Sequence, residues 1–504
     1  MAFIDARTLP NATRIEADLI IIGGGMAGIA IATEWANAGK TVAVLESGGR
    51  EMDMEIQALY AGTGAMRAPG CEDRPIDEYL IQSRVRALGG SGNVWGGKCG
   101  PLDPSDFPER PWLSRSGWPM TRGDLQPFYD RACTLLQIPA FHRDFDRDPL
   151  TDRPALPIDE NFFSSPREYS RISGRTDREA FNRFRTDFAD APNISVYLHA
   201  NVTSIRTDRR GRRVQGLDVA CLNGLRHSAR GRAYVLAAGG IENVRILLHS
   251  KDARGSGLGN HSDWLGRAFQ GHVTFGVYEN AEGLNTALCV TTQQNMTLYT
   301  DGRNAHCVLA TTLEGQRRFG TGNFTTTLVS ANTPPGAADP AVLALASQLD
   351  GASAQSIPCF FMAEQSPHLE SRLTLHEGHT DALGMAYMHL DWVYSEQDMQ
   401  NLERSIAALG DALGAAGKGR VRWPVERSQL LAILNQSRHH MGTTRMSADP
   451  EQGVVDADCR VHGVANLYIA GSSVFPTSGI INPTLTLMAL AMRLSDHLKQ
   501  ELRA

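Results

Sequence analysis

The fold is decided by a short stretch near the start of the chain, Leu19-Ile20-Ile21-Ile22-Gly23-Gly24-Gly25-Met26-Ala27-Gly28. Its apolar residues predict a buried strand, and the small residues that follow predict a helix. The glycines fit the pattern G-x-G-x-x-G. Gly23 permits a tight turn, Gly25 lets backbone approach a pyrophosphate, and Gly28 lets the helix pack closely on the strand. The helix N-terminus at Met26 and Ala27 attracts phosphates. The stretch therefore predicts a dinucleotide-binding unit.

An acidic residue closes the same unit. A second apolar run, Thr41 to Leu45, follows the helix, and Glu46 stands directly after it. A carboxylate at this place is positioned to hydrogen-bond the adenosine ribose, and its charge would repel the 2′-phosphate of NADP. A glycine-rich loop without a ligand would leave Glu46 unexplained. The unit therefore predicts a dinucleotide cofactor other than NADP.

Two further segments favour FAD over NAD. The run from Arg86 to Gly97 is a second glycine-rich loop, unsuited to a helix or a regular strand, whose backbone can lie flat against a planar ligand. The turn from Ala470 to Ser473 adds a third point of close approach at Gly471. A ligand touched at three such places is long, as FAD is. The candidate contacts within the second loop are Gly90, Ser91, Asn93 and Val94.

The composition is that of a globular protein. The 504 residues exceed one ordinary core, so we expect two or three domains. The formal net charge of -6 and the lack of a Lys/Arg cluster interleaved with aromatics argue against a nucleic-acid partner. The longest apolar run, residues 19–32, is too short to span a membrane. Residues 1–16 lack a signal-peptide core, so we expect a cytoplasmic protein.

The cysteines carry no metal-binding signature. All 8 are scattered along the chain, with no CxxC pair among them. An iron–sulfur cluster or a zinc site needs tighter grouping. We therefore expect free, mostly packed thiols and no metal site.

Three strand–turn–helix patterns lie far apart in the sequence. They predict one cofactor domain interrupted by insertions and built from residues 1–110, 191–265 and 435–504. The insertions, residues 111–190 and 266–434, mix alternating and helical patterns, which predicts a substrate domain on a mixed, largely antiparallel sheet. The expected fold class is α/β, with a Rossmann-like, doubly wound FAD-binding domain that is discontinuous in sequence.

Together these segments resemble the glucose–methanol–choline (GMC) oxidoreductases, a family of flavoproteins that oxidise alcohols. The order and spacing of the motifs match from end to end, and the most similar branch is the bacterial one near pyranose oxidases and the flavin subunits of sugar and polyol dehydrogenases. The region 270–430 carries no specific motif. The matching segments are Gly23–Gly28 with Glu46, Leu88–Gly97, Ala237–Glu242, His439–Met446, Gly453–Asp456, Asn466–Tyr468, Phe475-Pro476 and Asn482-Pro483-Thr484.

The resemblance implies roles for particular residues. His439, three positions before the Gly of a Gly-Thr step, and Asn482 match the pair that this family places over the flavin. The backbone at Val202 matches the place where the adenine is bound. The resemblance also sets Ala238, Gly471, Pro483 and Thr484 against the cofactor. His440 points away from its neighbour in an extended backbone, so we expect it to be packed beside the site.

The chain departs from the family pattern in three places. Val94 stands where covalent pyranose oxidases carry a flavin-linking His, so the FAD is expected to be non-covalent. The cysteine group of dehydrogenase subunits with an extra iron–sulfur cluster is missing. Gly471 replaces an Asp found in many members, which leaves the ribityl contact at that position open.

The expected reaction follows from the chemistry of alcohol oxidation. A base must take the hydroxyl proton while a hydride leaves the same carbon for flavin N5. A histidine titrates near working pH, so His439 is assigned as the base and Asn482 as the group that orients the oxygen. We predict oxidation of a secondary hydroxyl of a sugar, glycoside or polyol to a ketone. The expected partners are this small alcohol and an electron acceptor, which is oxygen, a quinone or a redox protein; the family often forms homo-oligomers.

Other interpretations stay open. The substrate could be a steroid, an aromatic alcohol or an aliphatic one, and a lyase that keeps FAD without net redox chemistry has the same fold. Asn482 before Pro483 also fits an N-cap and first-turn pair of a C-terminal helix. Residues 330–358, rich in small residues, form either a lid or a plain surface excursion. The tryptophans and further histidines are assigned structural roles by default: Trp95, Trp118, Trp264, Trp392, His272, His306 and His389.

Overall fold

The computed structural model describes most of the chain. Residues 330–358, expected to form either a lid or a surface excursion, fall largely outside the described residues, since 330–354 are not among them. The description covers residues 3–138, 140, 162–164, 170–171, 182–250, 255–275, 288–291, 299–300, 305–329, 355–417, 420–422 and 426–503.

The secondary structure alternates in type along the chain. The strands are β1 (Phe3–Asp5), β2 (Arg14–Glu16), β3 (Leu19–Ile22), β4 (Val42–Leu45), β5 (Gly62–Arg67), β6 (Arg74–Pro75), β7 (Lys98–Cys99), β8 (Phe163–Ser164), β9 (Ser170–Arg171), β10 (Ile194–Leu198), β11 (Asn201–Thr207), β12 (Val214–Ala220), β13 (Arg226–Arg230), β14 (Ala233–Leu236), β15 (His272–Phe275), β16 (Leu288–Thr291), β17 (Tyr299–Thr300), β18 (Ala305–Thr311), β19 (Phe324–Val329), β20 (Gln355–Glu364), β21 (Arg372–Thr380), β22 (Ala386–Val393), β23 (Arg420–Arg422) and β24 (Leu467–Ile469). The main α-helices are α1 (Met26–Glu34), α2 (Met54–Ala58), α3 (Tyr79–Gln82), α4 (Arg122–Leu136), α5 (Glu242–His249), α6 (Leu313–Phe319), α7 (Glu396–Ala415), α8 (Leu430–Ile433) and α9 (Thr484–Glu501).

A parallel sheet unites the three distant patterns. Its strand order is β1-β10-β4-β3-β14-β24, and every neighbouring pair is parallel. The strands β3, β4 and β14 are buried on both faces, as continuous apolar runs predict. Helix α9 packs against α1 and α4. The predicted discontinuous, doubly wound FAD-binding fold is confirmed.

The remaining sheets are largely antiparallel. The largest has the order β17-β18-β19-β20-β16-β23, with β15 paired to β20 and β8 to β18. Another has the order β21-β22-β5-β6, in which β22 and β5 run parallel. Thus β5, from the first predicted cofactor segment, shares a sheet with strands of the predicted substrate segment. The α/β fold class is confirmed, whereas the domain limits stay a prediction.

Local signals account for the helix boundaries. Helix α7 starts after Ser395, whose hydroxyl accepts from the Asp398 amide while the Asp398 carboxylate accepts from the Ser395 amide. This capping box pairs two amides that would otherwise have no partner. In the part of the chain that the structure describes, no helix is long and apolar enough to cross a bilayer. Cys99, Cys221 and Cys459 are buried free thiols, as expected.

A buried ion pair supports the strand beside the site. The Arg110 guanidinium donates to both carboxylate oxygens of Glu364, at 2.7 and 2.8 Å, and both side chains are almost inaccessible to solvent. Asp106 lies nearby, and burial, with the Glu364 charge, raises the pKa of its carboxyl to about 7. Glu364 is the register partner of His272 across β20 and β15. The ion pair therefore anchors the strand opposite His272.

Replacing Glu364 by Gln is expected to destabilise the fold. The change leaves a buried guanidinium without its bidentate partner, and such losses cost about 3 kcal/mol or more in the free energy of unfolding. Urea denaturation of the FAD-bound protein, followed by tryptophan fluorescence, measures the loss. Glu16→Gln is the matched control because the Arg14–Glu16 pair is exposed. Equal stabilities of the two variants would contradict the prediction.

Candidate active site

A deep cavity opens at the carboxyl ends of the parallel strands. The space between the protein atoms that line it is about 1790 Å³, and this volume includes open solvent at the mouth. Its walls come from the segments that follow β3, β4, β14 and β24, which is where ligands bind in doubly wound sheets. Most residues predicted for the site line it: Gly23, Gly25, Met26, Ala27, Glu46, Gly90, Ser91, Val94, Val202, Ala238, His439, Gly471, Asn482, Pro483 and Thr484.

The first glycine turn brings three elements into contact. Gly23 has φ +105°, and a Cβ there would lie 2.6 Å from the Ala237 carbonyl oxygen. A Cβ on Gly28 would lie 2.0 Å from the Gly23 oxygen, so Gly28 serves packing and does not line the cavity. A Cβ on Gly25 would meet nothing within 4 Å. Free space therefore remains at the N-terminus of α1, where the sequence predicts a pyrophosphate.

Glu46 is buried at the end of β4. One carboxylate oxygen accepts from the Gly24 amide and the other from the Gly48 amide, each at 2.7 Å. These bonds tie the end of β4 to the first glycine turn. Oε1 also accepts from the Ser47 hydroxyl at 3.3 Å, whereas Oε2 keeps a further lone pair, so Glu46, which lines the cavity, can still accept from a ribose hydroxyl.

The second glycine loop packs on the first. The Gly89 amide donates to the Gly24 carbonyl at 2.7 Å, and a Cβ on Gly90 would lie 3.1 Å from the Gly25 Cα. Asn93 faces its own loop, because its amide donates to the carbonyls of Leu88 and Gly90 at 3.0 and 2.9 Å. The structure thus places Ser91 and Val94 on the cavity wall and Asn93 behind it.

The cavity wall also contains a buried charge cluster that the sequence analysis quoted without a role. Glu242 receives hydrogen bonds from Arg84, Arg86 and Arg245 at 3.0–3.2 Å. Burial raises the pKa of the Glu242 carboxyl, but the guanidinium groups of Arg86, Arg245 and Arg84 outweigh it, and the pKa falls to about 2. Arg86 Nη1 is buried, has no partner among the described residues, and belongs to a side chain that lines the cavity. An anionic ligand such as a dinucleotide fits this unpaired donor.

The two residues predicted over the flavin meet at one end of the cavity. Asn482 Nδ2 lies 3.1 Å from His439 Nε2. Helix α9 begins at Thr484, after Pro483, and has no side-chain cap, so the capping interpretation of Asn482 is wrong. The contact that its Nδ2 makes is with His439. The N-terminus of α9 lines the same part of the cavity and has no acidic residue in its first turn, so it favours negative charge there.

His272 is the site residue that the sequence analysis missed. Its Nδ1 lies 2.8 Å from His439 Nδ1, and its Nε2 lies 3.3 Å from the Ser478 carbonyl oxygen. The two rings meet edge to face at 82°. The default structural role therefore gives way to a direct contact with His439. No sequence signal points to it, because the contact joins residues 167 positions apart.

His440 is packed, as expected, on the other side. Its Nε2 lies 3.0 Å from the Tyr79 hydroxyl, and Tyr79 donates to the Ser437 carbonyl at 2.5 Å. The backbone and Cβ of His440 press against Gly240, where a Cβ would come within 2.7 Å. Among the described contacts, His440 therefore bonds Tyr79, and His439 is the histidine that pairs with Asn482.

Three buried histidines at this end of the cavity, His439, His272 and His440, are neutral near neutral pH. Burial lowers the pKa of His439 well below its usual range, and positive charge on His272 or His440 would lower it further. Burial lowers the pKa of His272 to about 4 and that of His440 to about 3. His439 is thus kept in the unprotonated form that a base requires.

The other tryptophans and histidines named in the sequence occupy the following environments. Trp118, Trp264 and Trp392 are buried, as expected, while Trp95 is half-buried and lines the cavity. His389 bonds Thr63 at the sheet surface, and the side chain of His306 lies outside the described residues. No group of three or more His, Cys, Asp or Glu within the described ranges is arranged to hold a metal ion.

Comparison with known proteins agrees with this geometry. Residues 367–491 match the family model "GMC oxidoreductase", and residues 18–92 match the model "FAD binding domain". The chain is 24% identical to 2-methyl-1,2-propanediol dehydrogenase of Mycolicibacterium austroafricanum over 96% of this chain and 95% of that one. It is 34% identical to C-glycoside 3-oxidase of Microbacterium trichothecenolyticum over 26% of this chain and 25% of that one.

A solved structure shares the fold. Formate oxidase superposes with a TM-score of 0.63 at 15% identity, covering 98% of this chain and 99% of that one. The matched FAD-binding segment contains the Gly23–Gly28 turn, and the matched GMC segment contains His439 and Asn482. The chain therefore carries an FAD-binding domain and the C-terminal domain of GMC oxidoreductases, and it is an FAD-dependent oxidoreductase that acts on CH–OH groups.

Proposed function

We propose that the protein oxidises a secondary hydroxyl of a sugar, glycoside or polyol to a ketone, with His439 as the base. The observation that carries this proposal is the 3.1 Å contact between His439 Nε2 and Asn482 Nδ2 at one end of the FAD cavity. A ring nitrogen that accepts and an amide that donates stand side by side. An alcohol needs this pair of partners when its proton is removed.

In this proposal each residue has a distinct task. The substrate oxygen accepts from Asn482 Nδ2 while its O–H donates to His439 Nε2, so the alcohol replaces the direct contact between the two side chains. The proton moves to His439 Nε2 as the C–H bond breaks and the C=O bond forms. FAD supplies the acceptor for the hydride and its electron pair when it is bound. Asn482 then donates to the developing negative charge on the oxygen.

The residues around the cavity fit FAD. The phosphates belong at the N-terminus of α1 beside Gly25, and the ribose at Glu46. The adenine belongs near the Val202 backbone, and the ring system belongs at the other end near the N-terminus of α9. The wall carries Val94 where covalent relatives carry His, which supports a non-covalent cofactor.

The substrate class rests on relatives of this chain. One is named for 2-methyl-1,2-propanediol, a polyol with a primary and a tertiary hydroxyl, and this name supports the polyol class. Another is named for the 3-position of C-glycosides, a secondary hydroxyl, and this name supports a ketone product. Both substrates carry neighbouring oxygen functions. A sugar, glycoside or polyol is therefore proposed ahead of a steroid or an aromatic alcohol. Oxygen, a quinone or a redox protein completes the cycle as the electron acceptor.

Anaerobic stopped-flow mixing tests the reaction directly. Sugars, glycosides, polyols, sterols and simple alcohols are mixed with the FAD-bound protein, and bleaching of the oxidised flavin is followed. A glycoside, sugar or polyol is expected to bleach it, and His439→Ala to slow bleaching by roughly 10²- to 10⁴-fold, the contribution of a general base. His389→Ala is the control, since His389 lies at the sheet surface.

Other results would redirect the assignment. Bleaching by sterols or aromatic alcohols alone would contradict the substrate class. Retention of FAD without bleaching by any alcohol would contradict oxidation and favour a lyase. Full activity of His439→Ala would remove that residue from its proposed role. Admitting air after bleaching shows whether oxygen serves as the acceptor.

Asn482→Ala separates the proposed orienting role from a capping role. We expect slower flavin reduction, because the substrate oxygen loses a hydrogen-bond donor. We also expect little change in unfolding midpoint, since loss of a cap costs about 1 kcal/mol and α9 has no side-chain cap to lose. Reduction kinetics and thermal denaturation of the same variant give both values. A large fall in stability with unchanged kinetics would contradict the assignment.

The pH dependence of kcat/KM follows from the state of His439. The base acts only when neutral, and burial lowers its pKa well below the usual value of 6.5. The acid limb of the profile is therefore expected below pH 6.5, with activity lost only as pH falls further. Steady-state rates with a fixed acceptor measure this limb. A limb centred above pH 7 would indicate another base.

A further inference from the structure

We propose that His272 is a positioning residue that determines which ring nitrogen of His439 carries the proton. It places that proton on Nδ1 and thereby leaves Nε2 free to act as the base. The inference rests on the proposed function, because it concerns the same base. It assigns a purpose to a buried histidine on β15, in the region of the chain where the sequence offers no motif.

The chain of contacts starts at a group that can only accept. The Ser478 carbonyl oxygen lies 3.3 Å from His272 Nε2. A carbonyl has no proton to donate, so His272 Nε2 must be the donor. A neutral imidazole carries one ring proton, and His272 has it on Nε2. Its Nδ1 is left with a lone pair.

That lone pair faces the second histidine. His272 Nδ1 and His439 Nδ1 are 2.8 Å apart, and the rings meet edge to face with centroids 4.9 Å apart. One nitrogen of such a pair must donate and the other accept. Because His272 Nδ1 accepts, His439 Nδ1 carries the proton and donates it. His439 Nε2 is then the unprotonated nitrogen.

The contact at Asn482, at the other end of this series of hydrogen bonds, agrees with this arrangement. Asn482 Nδ2 is a donor, and it lies 3.1 Å from His439 Nε2, which has the lone pair to receive it. The reverse arrangement would set a lone pair of His272 Nε2 against the Ser478 oxygen. It would also set an N–H of His439 against an N–H of Asn482. Both ends therefore select the same tautomer.

The surroundings keep His272 in place and neutral. Its side chain is fully buried, and its cross-strand neighbour Glu364 is occupied by Arg110. The adjacent Gly271 amide donates to Gln365 Oε1 at 2.9 Å, and Ser478 is buried as well. When His439 takes the substrate proton, its Nδ1–H still has a neutral acceptor in His272, and a charged donor strengthens that bond.

Two amide substitutions test the two ring nitrogens of His272 separately. In His272→Asn, the side-chain oxygen can occupy the place of Nδ1 and accept from His439. In His272→Gln, the amide nitrogen reaches the place of Nε2 and can donate to Ser478, while nothing accepts from His439. We expect His272→Asn to keep most of the rate of flavin reduction. We expect His272→Gln to lower it by roughly a hundredfold, within the contribution of a general base. His389→Gln is the matched control.

A spectroscopic measurement decides the inference without any substrate. Nitrogen-15 NMR of histidine-labelled, FAD-bound protein distinguishes protonated from unprotonated ring nitrogens, and His439→Asn identifies the signals. We expect His439 to be protonated on Nδ1 alone in the natural protein and in His272→Asn. In His272→Gln we expect a mixture of tautomers.

The outcomes are distinct from those of the proposed function. A His439 protonated on Nε2 in the natural protein would overturn the positioning role, even if alcohols reduce the flavin. An unchanged tautomer together with an unchanged rate in His272→Gln would also overturn it. If no alcohol reduces the flavin, the proposed function fails while the tautomer of His439 still tests this inference. If His272→Gln does not fold, the natural protein and His272→Asn give the decisive spectra.

Discussion

The site depends on how closely three backbone segments approach one another at the first glycine turn. Strand β3, helix α1 and the end of β14 meet where Gly23 and Gly28 leave no space for a Cβ, with contacts of 2.6 and 2.0 Å. This crossing aims the N-terminus of α1 at the cavity. It leaves Gly25 facing free space, and the second glycine loop packs on it through Gly89 and Gly24. Any side chain at the crossing would push these elements apart and disturb the predicted phosphate site.

The reacting end of the cavity is assembled from parts with little local support. His439 lies in a loop before β24, Asn482 lies before α9, and His272 comes from β15 of the largely antiparallel sheet. The Arg110–Glu364 ion pair anchors β20, the strand that pairs with β15. The two halves of the fold thus supply different nitrogens to one hydrogen-bonded chain. If His439 is the base as proposed, its hydrogen bond to His272 ties its proton to the position of β15.

Sequence reasoning succeeded where a contact is local and failed where it is not. The strands β3 and β4 were predictable because four-residue apolar runs between polar turns have few alternatives. The helix α7 was predictable because Ser395 and Asp398 form a capping box within four residues. Asn482 also fitted a helix cap because Asn before Pro is a common helix start, but α9 begins after Pro483, and local preference does not register the contact of Asn482 with His439. Asn93 looked like a ligand contact, yet its amide closes its own loop.

The sequence by itself determined the cofactor-binding fold, since the glycine spacing from Gly23 to Gly28 and the acid at Glu46 act over one strand–helix–strand unit. Family resemblance added His439 and Asn482. Only the tertiary structure decided that His272 contacts His439, across 167 residues, and that Ser478 faces its other nitrogen. A proton position depends on the full chain of donors and acceptors around a ring. That series of hydrogen bonds forms only after distant strands have packed together, so no local sequence pattern predicts it.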